Sequence, residues 1–164
     1  MLLTLFKRLF FVSAAGLILA GCAVQSLQPG MARDEVLKRM GTPSNTVALA
    51  SGTRLQYSLQ PMGRSALMVD LDQQGRVTSV RQVLTPNEFA LIVTGQWTRS
   101  DVEREFGRPA FISHVANWQG DIMTYRWHDG VHDMFFWVYL DPKNVAQQVG
   151  QGIEFRDSDR GWDK

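Results

Sequence analysis

The chain has one cysteine in 164 residues, only three histidines, and a formal charge of +1 from 17 basic and 16 acidic groups. A single cysteine excludes an intramolecular disulfide and any cysteine-rich zinc site. The near balance of charge argues against a strongly basic nucleic-acid binder and against an acidic disordered chain. No apolar run reaches the roughly 20 residues of a comfortable transmembrane helix. The sequence also lacks a Gly-x-Ser-x-Gly elbow and a phosphate-binding glycine loop, two signatures of hydrolases and nucleotide enzymes. What it does have is apolar mass. At 45% hydrophobic, with nine Phe and five Trp, it has ample material for a core, and its length suits one compact domain or two small ones.

Residues 1–21 carry no acid. Lys7 and Arg8 precede an apolar run from Leu9 to Ala20, and small residues follow. That is the pattern of a secretory signal. Leu19-Ala20-Gly21-Cys22 resembles the bacterial lipobox, which implies cleavage before Cys22 and covalent lipidation of it. An ordinary signal with an incidental cysteine is the competing reading. Several acyl chains, at roughly 0.8 kcal/mol per buried methylene, are enough for stable anchoring. Ala23 rather than Asp follows the cysteine. By resemblance to Gram-negative lipoproteins this implies the periplasmic face of the outer membrane. Without residues 1–21 the body has 15 basic and 16 acidic groups, hence a charge of −1. It is expected to fold in an oxidising compartment without disulfides, by apolar burial. Residues 22–30 read as lipidated cysteine and tether, and 157–164 as a charged tail.

The rest repeats itself. Arg33-Asp-Glu-Val-Leu-Lys-Arg-Met-Gly-Thr-Pro43 aligns with Arg99-Ser-Asp-Val-Glu-Arg-Glu-Phe-Gly-Arg-Pro109. Gly52-Thr-Arg-Leu-Gln-Tyr57 answers Gly120-Asp-Ile-Met-Thr-Tyr125, and Val69-Asp-Leu-Asp72 answers Val138-Tyr-Leu-Asp141. The offset drifts from 66 to 68 to 69 residues, as loop-length changes produce. Three blocks in one order indicate a duplication, with units at 31–84 and 85–156.

Each unit reads as helix, then strands. Thr85-Pro-Asn-Glu88 forms a capping box with Pro at the first helical position, predicting a short helix to Ile92. Thr98 and Asp101 cap a second, with Val102 and Phe106 on one face and Gly107 and Pro109 ending it. In the first unit Val36 and Met40 face inward, Gly41 and Pro43 terminate, and Ala32 replaces the capping threonine. Gln25 to Pro29, next to the anchor, is assigned no first helix. Strands are expected at 46–50, 54–59, 66–70 and 76–83, then at 111–117, 122–128, 134–140 and 145–155. Gln73-Gln-Gly75, Asp129-Gly130 and Pro142-Lys-Asn144 supply turns. The expected fold class is α+β: two tandem units, each of one or two helices on a three- or four-stranded antiparallel meander.

Asn87-Glu-Phe-Ala-Leu-Ile-Val-Thr-Gly95, Thr98 to Pro109, Tyr125 and Val138-Tyr-Leu-Asp141 resemble the small outer-membrane lipoprotein family SmpA/OmlA, also called BamE. The resemblance covers most of 85–155 and, more weakly, 30–83, and the lipobox fits it. It implies a non-enzymatic protein supporting β-barrel outer-membrane protein assembly and envelope integrity. The implied partners are membrane lipids and subunits of the assembly machinery, with no nucleic acid and no cofactor beyond the lipid on Cys22. The chain departs from the family in carrying two units and in splitting the Gly-Met-Thr turn, at Gly30-Met31 and at Gly95 and Thr98. Tandem units of this shape also resemble the β-lactamase inhibitor protein. That implies the alternative of a periplasmic binding or inhibitor module, with a groove between the units gripping a partner.

Two constellations are candidates for chemistry. His128-Asp129-Gly130-Val131-His132-Asp133 puts two His and two Asp within six residues, a possible metal site. Asp-Gly is also a preferred turn pair, and no distant ligand is identified, so a hairpin turn is favoured and no metal is expected. His114 falls in an expected strand and reads as structural. The aromatic residues of the second unit are the stronger signal. Trp97, Trp118, Trp127, Phe135 and Trp137 are candidate partner contacts. Alternation sends Phe135, Trp137 and Tyr139 to one face and Phe136 and Val138 to the other. The first set either packs between the units or forms an exposed interaction surface. Trp97, in the helix–helix turn, is the leading candidate for contact with a partner or lipid headgroups.

Overall fold

The computed structural model describes residues 27–155. The signal peptide, Cys22 and the charged tail at 157–164 lie outside the described residues. The order is α1 (Arg33–Met40), β1 (Asn45–Leu49), β2 (Gly52–Ser58), β3 (Ala66–Asp72), β4 (Val77–Gln82), α2 (Pro86–Phe89), α3 (Arg99–Phe106), β5 (Phe111–Ser113), β6 (Ile122–His128), β7 (Asp133–Leu140) and β8 (Ala146–Ile153). Strands β1 to β4 form one antiparallel meander, sheet 1, and β5 to β8 a second, sheet 2. The fold is α+β with two tandem sheet units.

Helices are fewer and shorter than the sequence suggests. The first unit has α1 alone among its described residues, and α2 is a single turn of four residues. Helices α1 and α3 are both eight residues long and differ in how they start. Thr98 and Asp101 close a reciprocal capping box on α3, whereas Ala32 leaves α1 without a side-chain cap. Strand β5 stops at Ser113 instead of reaching 117. The chain turns there, with the Trp118 main-chain N–H bonded to the Val115 carbonyl at 3.1 Å. The segment 27–30, expected as tether, is held at both ends: Leu27 joins the first unit's core, and the Gly30 N–H bonds the Val77 carbonyl at 2.7 Å, with Gln28, Pro29 and Gly30 exposed.

The duplication is visible in geometry. Gly41 and Gly107 end α1 and α3 with the same φ of 78°, a left-handed value that suits glycine. Tyr57 and Tyr125 donate hydroxyl bonds to those glycine carbonyls, at 3.1 and 2.8 Å. Gly52 and Gly120 have φ of 149° and 142°, and a Cβ on either would stand 2.1 Å from the carbonyl oxygen of Leu71 or Leu140. Gly95 and Trp97 bond Ala146 as Gly30 and Met31 bond Val77.

The two units stack in four layers: α1, sheet 1, the α2–α3 layer and sheet 2. Val36 of α1 packs with Leu27, Leu55, Val69, Leu71 and Val77 on one face of sheet 1. Ala66 and Met68 point to the opposite face and join Phe89, Val102 and Phe106 beneath Met123, Tyr125, Phe136 and Val138 of sheet 2. This second core belongs to both units. Side chains of both units pack against each other in it.

Removing the two tyrosine hydroxyls tests the repeat energetically. Tyr125 is fully buried, and burial pushes its pKa well above the ordinary phenol value. Tyr125→Phe should lower unfolding free energy by about 1–3 kcal/mol, because a buried carbonyl loses its donor. Tyr57→Phe should lower it by less than about 1 kcal/mol, because water replaces the exposed bond. Urea unfolding of both variants checks the order.

Candidate functional site

The junction between the units is organised by two polar side chains on β2. Arg54 and Gln56 stand on the face of sheet 1 that looks toward α3, and both are buried. Arg54 forks onto Asp70, with Nε to Oδ1 at 2.6 Å and Nη2 to Oδ2 at 2.9 Å. Its Nη1 donates to Glu105 Oε2 at 2.6 Å and to the Arg104 carbonyl at 3.0 Å. The Gln56 amide donates to the carbonyls of Glu103 and Arg104 at 2.9 and 3.0 Å. These are last-turn carbonyls of α3; that of Glu103 also accepts the Gly107 N–H at 2.9 Å, and carbonyls at a helix end look for donors beyond the helix. A guanidinium there also meets the negative end of the helix dipole.

The charges are matched. Bonds to Asp70, against the opposing effect of burial and with help from Glu105, raise the Arg54 pKa above its ordinary value. Burial pushes the Asp70 carboxyl up. The hydrogen bond and charge of Arg54, with Ser79 and Arg81, outweigh that and hold it below the usual carboxylate range. A second clasp lies in the β2–β3 loop. The Gln60 amide exchanges bonds with the main chain of Arg126, at 2.7 and 3.1 Å. Arg64 reaches Asp133 at 2.8 Å and Glu154 at 2.9 Å, and Arg126 also pairs with Glu154.

The outer face of sheet 2 carries the candidate interaction surface. Phe135, Trp137 and Tyr139 alternate outward from β7, while Phe136, Val138 and Leu140 are buried. Phe111 meets Phe135 edge-on, with ring centroids 5.8 Å apart, and Trp118 meets Tyr139 edge-on at 5.3 Å. The Trp118 indole donates to the Leu140 carbonyl at 2.7 Å. The Trp137 ring lies across β8, where a Cβ on Gly152 would stand 2.8 Å from it. This row faces away from the first unit, so it does not pack between the units.

The repeat gives this face a meaning. In sheet 1, Arg54, Gln56 and Ser58 sit opposite Asp70, Met68 and Ala66. Their counterparts in sheet 2 are Ile122, Thr124 and Arg126, opposite Tyr139, Trp137 and Phe135. The first copy of the face is occupied by α3 and the second unit. Among the described residues, no helix covers the second copy, and the first unit's β2–β3 loop reaches only its Arg126 end.

The structure therefore gathers Trp118, Phe135 and Trp137, adds Phe111 and Tyr139, and separates Trp97 and Trp127 from them. Trp127 is 3% exposed and meets Phe89 edge-on at 5.5 Å, so it is a core residue and not a partner contact. Trp97 is half-buried and packs against the shared core near Phe106. Phe111 carries no sequence signal of its own, since its place on this face follows from the pairing of β5 with β6 and its contact with Phe135. The histidines do not converge. His128 pairs with Asp133, His132 with Asp129, and His114, just beyond β5, with Asp121. Asp129 accepts the main-chain N–H groups of His132 and Val131, bonds that depress its pKa and mark it as a turn residue. Among the described residues, no group of three or more His, Cys, Asp or Glu stands together as a metal cage.

Arg54→Ala should cost about 3 kcal/mol, since it removes the bidentate partner of Asp70, the nearest cation to Glu105 and one donor to the Arg104 carbonyl at the junction. Because the Asp70 pKa is lower folded than unfolded, its contribution is present above the unfolded value of about 3.9 and is lost as pH falls through the folded value. Asp70→Asn should therefore be less stable at neutral pH and show a shallower acid limb, measured by urea unfolding between pH 7 and 2.

No family model matches the sequence, and no curated protein matches it. Among solved structures, the chain is similar to a DUF4309 family protein, YjgB, from Bacillus subtilis. The two are 15% identical, over 75% of this chain and 78% of that one, with a TM-score of 0.31.

Proposed function

We propose that the protein is a lipid-anchored, non-enzymatic component of the outer membrane that supports β-barrel protein assembly and envelope integrity through protein contacts. The observation that supports this reading best is the open aromatic face of sheet 2. The same chain uses the equivalent face of sheet 1 to hold another folded unit, through α3. A face of Phe111, Phe135, Trp137 and Tyr139, with Trp118 at its end, is suited to a protein partner, because aromatic residues are enriched where binding energy concentrates. The lipobox supports anchoring through Cys22, and the helix-then-meander order of both units supports kinship with SmpA/OmlA.

Each element of the reading has its own test. Cys22→Ala should abolish palmitate labelling and move the protein from the membrane to the soluble fraction. Deletion should sensitise cells to bile salts and large antibiotics. A photo-crosslinking phenylalanine analogue at Phe111, which is 45% exposed, should capture barrel-assembly subunits in intact envelopes. Capture of one soluble periplasmic protein instead would favour the inhibitor-type alternative, and the absence of any adduct would count against a partner on this face.

A further inference from the structure

Sheet 2 ends in a strand whose free edge is self-complementary. The Glu154 N–H donates to the Asp133 carbonyl at 2.8 Å, which makes Asp133 and Glu154 a hydrogen-bonded pair. In an antiparallel ladder such pairs alternate with pairs whose main-chain groups point away from each other. Met134 with Ile153, Phe136 with Gln151, and Val138 with Val149 are therefore the outward-pointing pairs. Val149, Gln151 and Ile153 thus present their N–H and C=O groups to the open side of β8. Among the described residues, no main-chain bond reaches them from that side. Toward its start the same edge is closed, because Ala146 exchanges bonds with Gly95 and Trp97.

Natural edge strands are blunted by charge, proline or shortness. This one has none of these. From Ala146 to Ile153 it runs eight residues with no charged residue and no proline. The equivalent edge of sheet 1, β4, is six residues long and carries Arg81, which is bound to Glu88. The open stretch also reads nearly the same in both directions about its centre: Val149-Gly-Gln151-Gly-Ile153.

We propose that β8 pairs with β8 of a second copy of this chain, antiparallel, about a two-fold axis at Gln151. The symmetry sets Val149 opposite Ile153 of the second copy, Gly150 opposite Gly152, and Gln151 opposite itself. These are the outward-pointing residues, so about six main-chain hydrogen bonds form without disturbing β7. Val149 and Ile153 are 37% and 44% exposed, and the pairing sets these β-branched side chains against each other. Gln151 meets an amide that can both donate and accept. Glu154 brings no bare charge to the seam, because Arg64 and Arg126 already hold it. On the outer face each Trp137 ring lies over Gly150 and Gly152 of its own β8, so glycines alone face each other between the two rings. The interface is isologous, as most homodimer contacts are.

The full chain in intact cells tests this. Across a two-fold at Gln151 the paired Cα atoms stand about 5.5 Å apart, within disulfide range. Mild oxidation should convert most of a Gln151→Cys variant to a species of twice the mass. Ser100→Cys on exposed α3, and the parent chain with Cys22 alone, should not convert. Absence of the Gln151→Cys dimer, equal conversion of Ser100→Cys, or an adduct to a different protein would each overturn the proposal. In detergent, the purified full chain should sediment as a dimer and Gln151→Lys as a monomer with an unchanged melting temperature. An unchanged mass for Gln151→Lys would also overturn it.

Discussion

The architecture turns on the guanidinium of Arg54. It is buried in a sheet of the first unit, it neutralises two acids, and it closes the C-terminal end of a helix that belongs to the second unit. Apolar contact around Met68, Phe106 and Tyr125 supplies most of the attraction between the units. Such contact is indifferent to small rotations of one layer over the other. A planar fork with fixed donor directions is not. The polar pair Arg54 and Gln56 therefore sets where α3 ends on sheet 1, and with it the direction in which sheet 2 faces.

Duplication followed by divergence explains why the two copies of one face look so unlike each other. The first copy had to accept a helix end, so it carries a cation, an amide and small side chains at Ala66 and Ser58. The second carries Ile122, Thr124 and Arg126 at the places of Arg54, Gln56 and Ser58, and large aromatic residues on β7 at those of Asp70, Met68 and Ala66. Gly150 and Gly152 on β8 make room for the largest of them. The helix-ending glycines, the tyrosines that bond them and the glycines under the strand turns stayed the same, because each meets a backbone requirement internal to its own unit.

Much of the fold was legible in the amino-acid order because local rules agree with one another. Thr98 and Asp101 specify the start of α3, Gly41 and Gly107 the helix ends, and alternation along β7 the division into inward and outward side chains. The docking of the units was not legible. Arg54 and Gln56 read as ordinary polar residues on a half-exposed strand, since nothing local reveals a helix arriving from about 50 residues further along. The same limit misplaced Trp127, whose burial depends on Phe89 in another layer. It also made residues 27–30 read as tether, although Leu27 completes a core formed mainly by residues after it. For the candidate site, the separation of Phe135 and Trp137 from Phe136 followed from period two. Their outward aim required knowing on which side α3 lies.

The layer order has a consequence for geometry at a membrane. Leu27, where the described chain begins, belongs to the α1 side of sheet 1, and the aromatic row lies beyond sheet 2, three layer spacings away. At about 10 Å per spacing, the row stands roughly 30 Å from the side on which the chain enters. On the proposal of a lipid on Cys22, the first unit would act as a plinth, with the aromatic surface on the side of the molecule away from the point at which the chain enters.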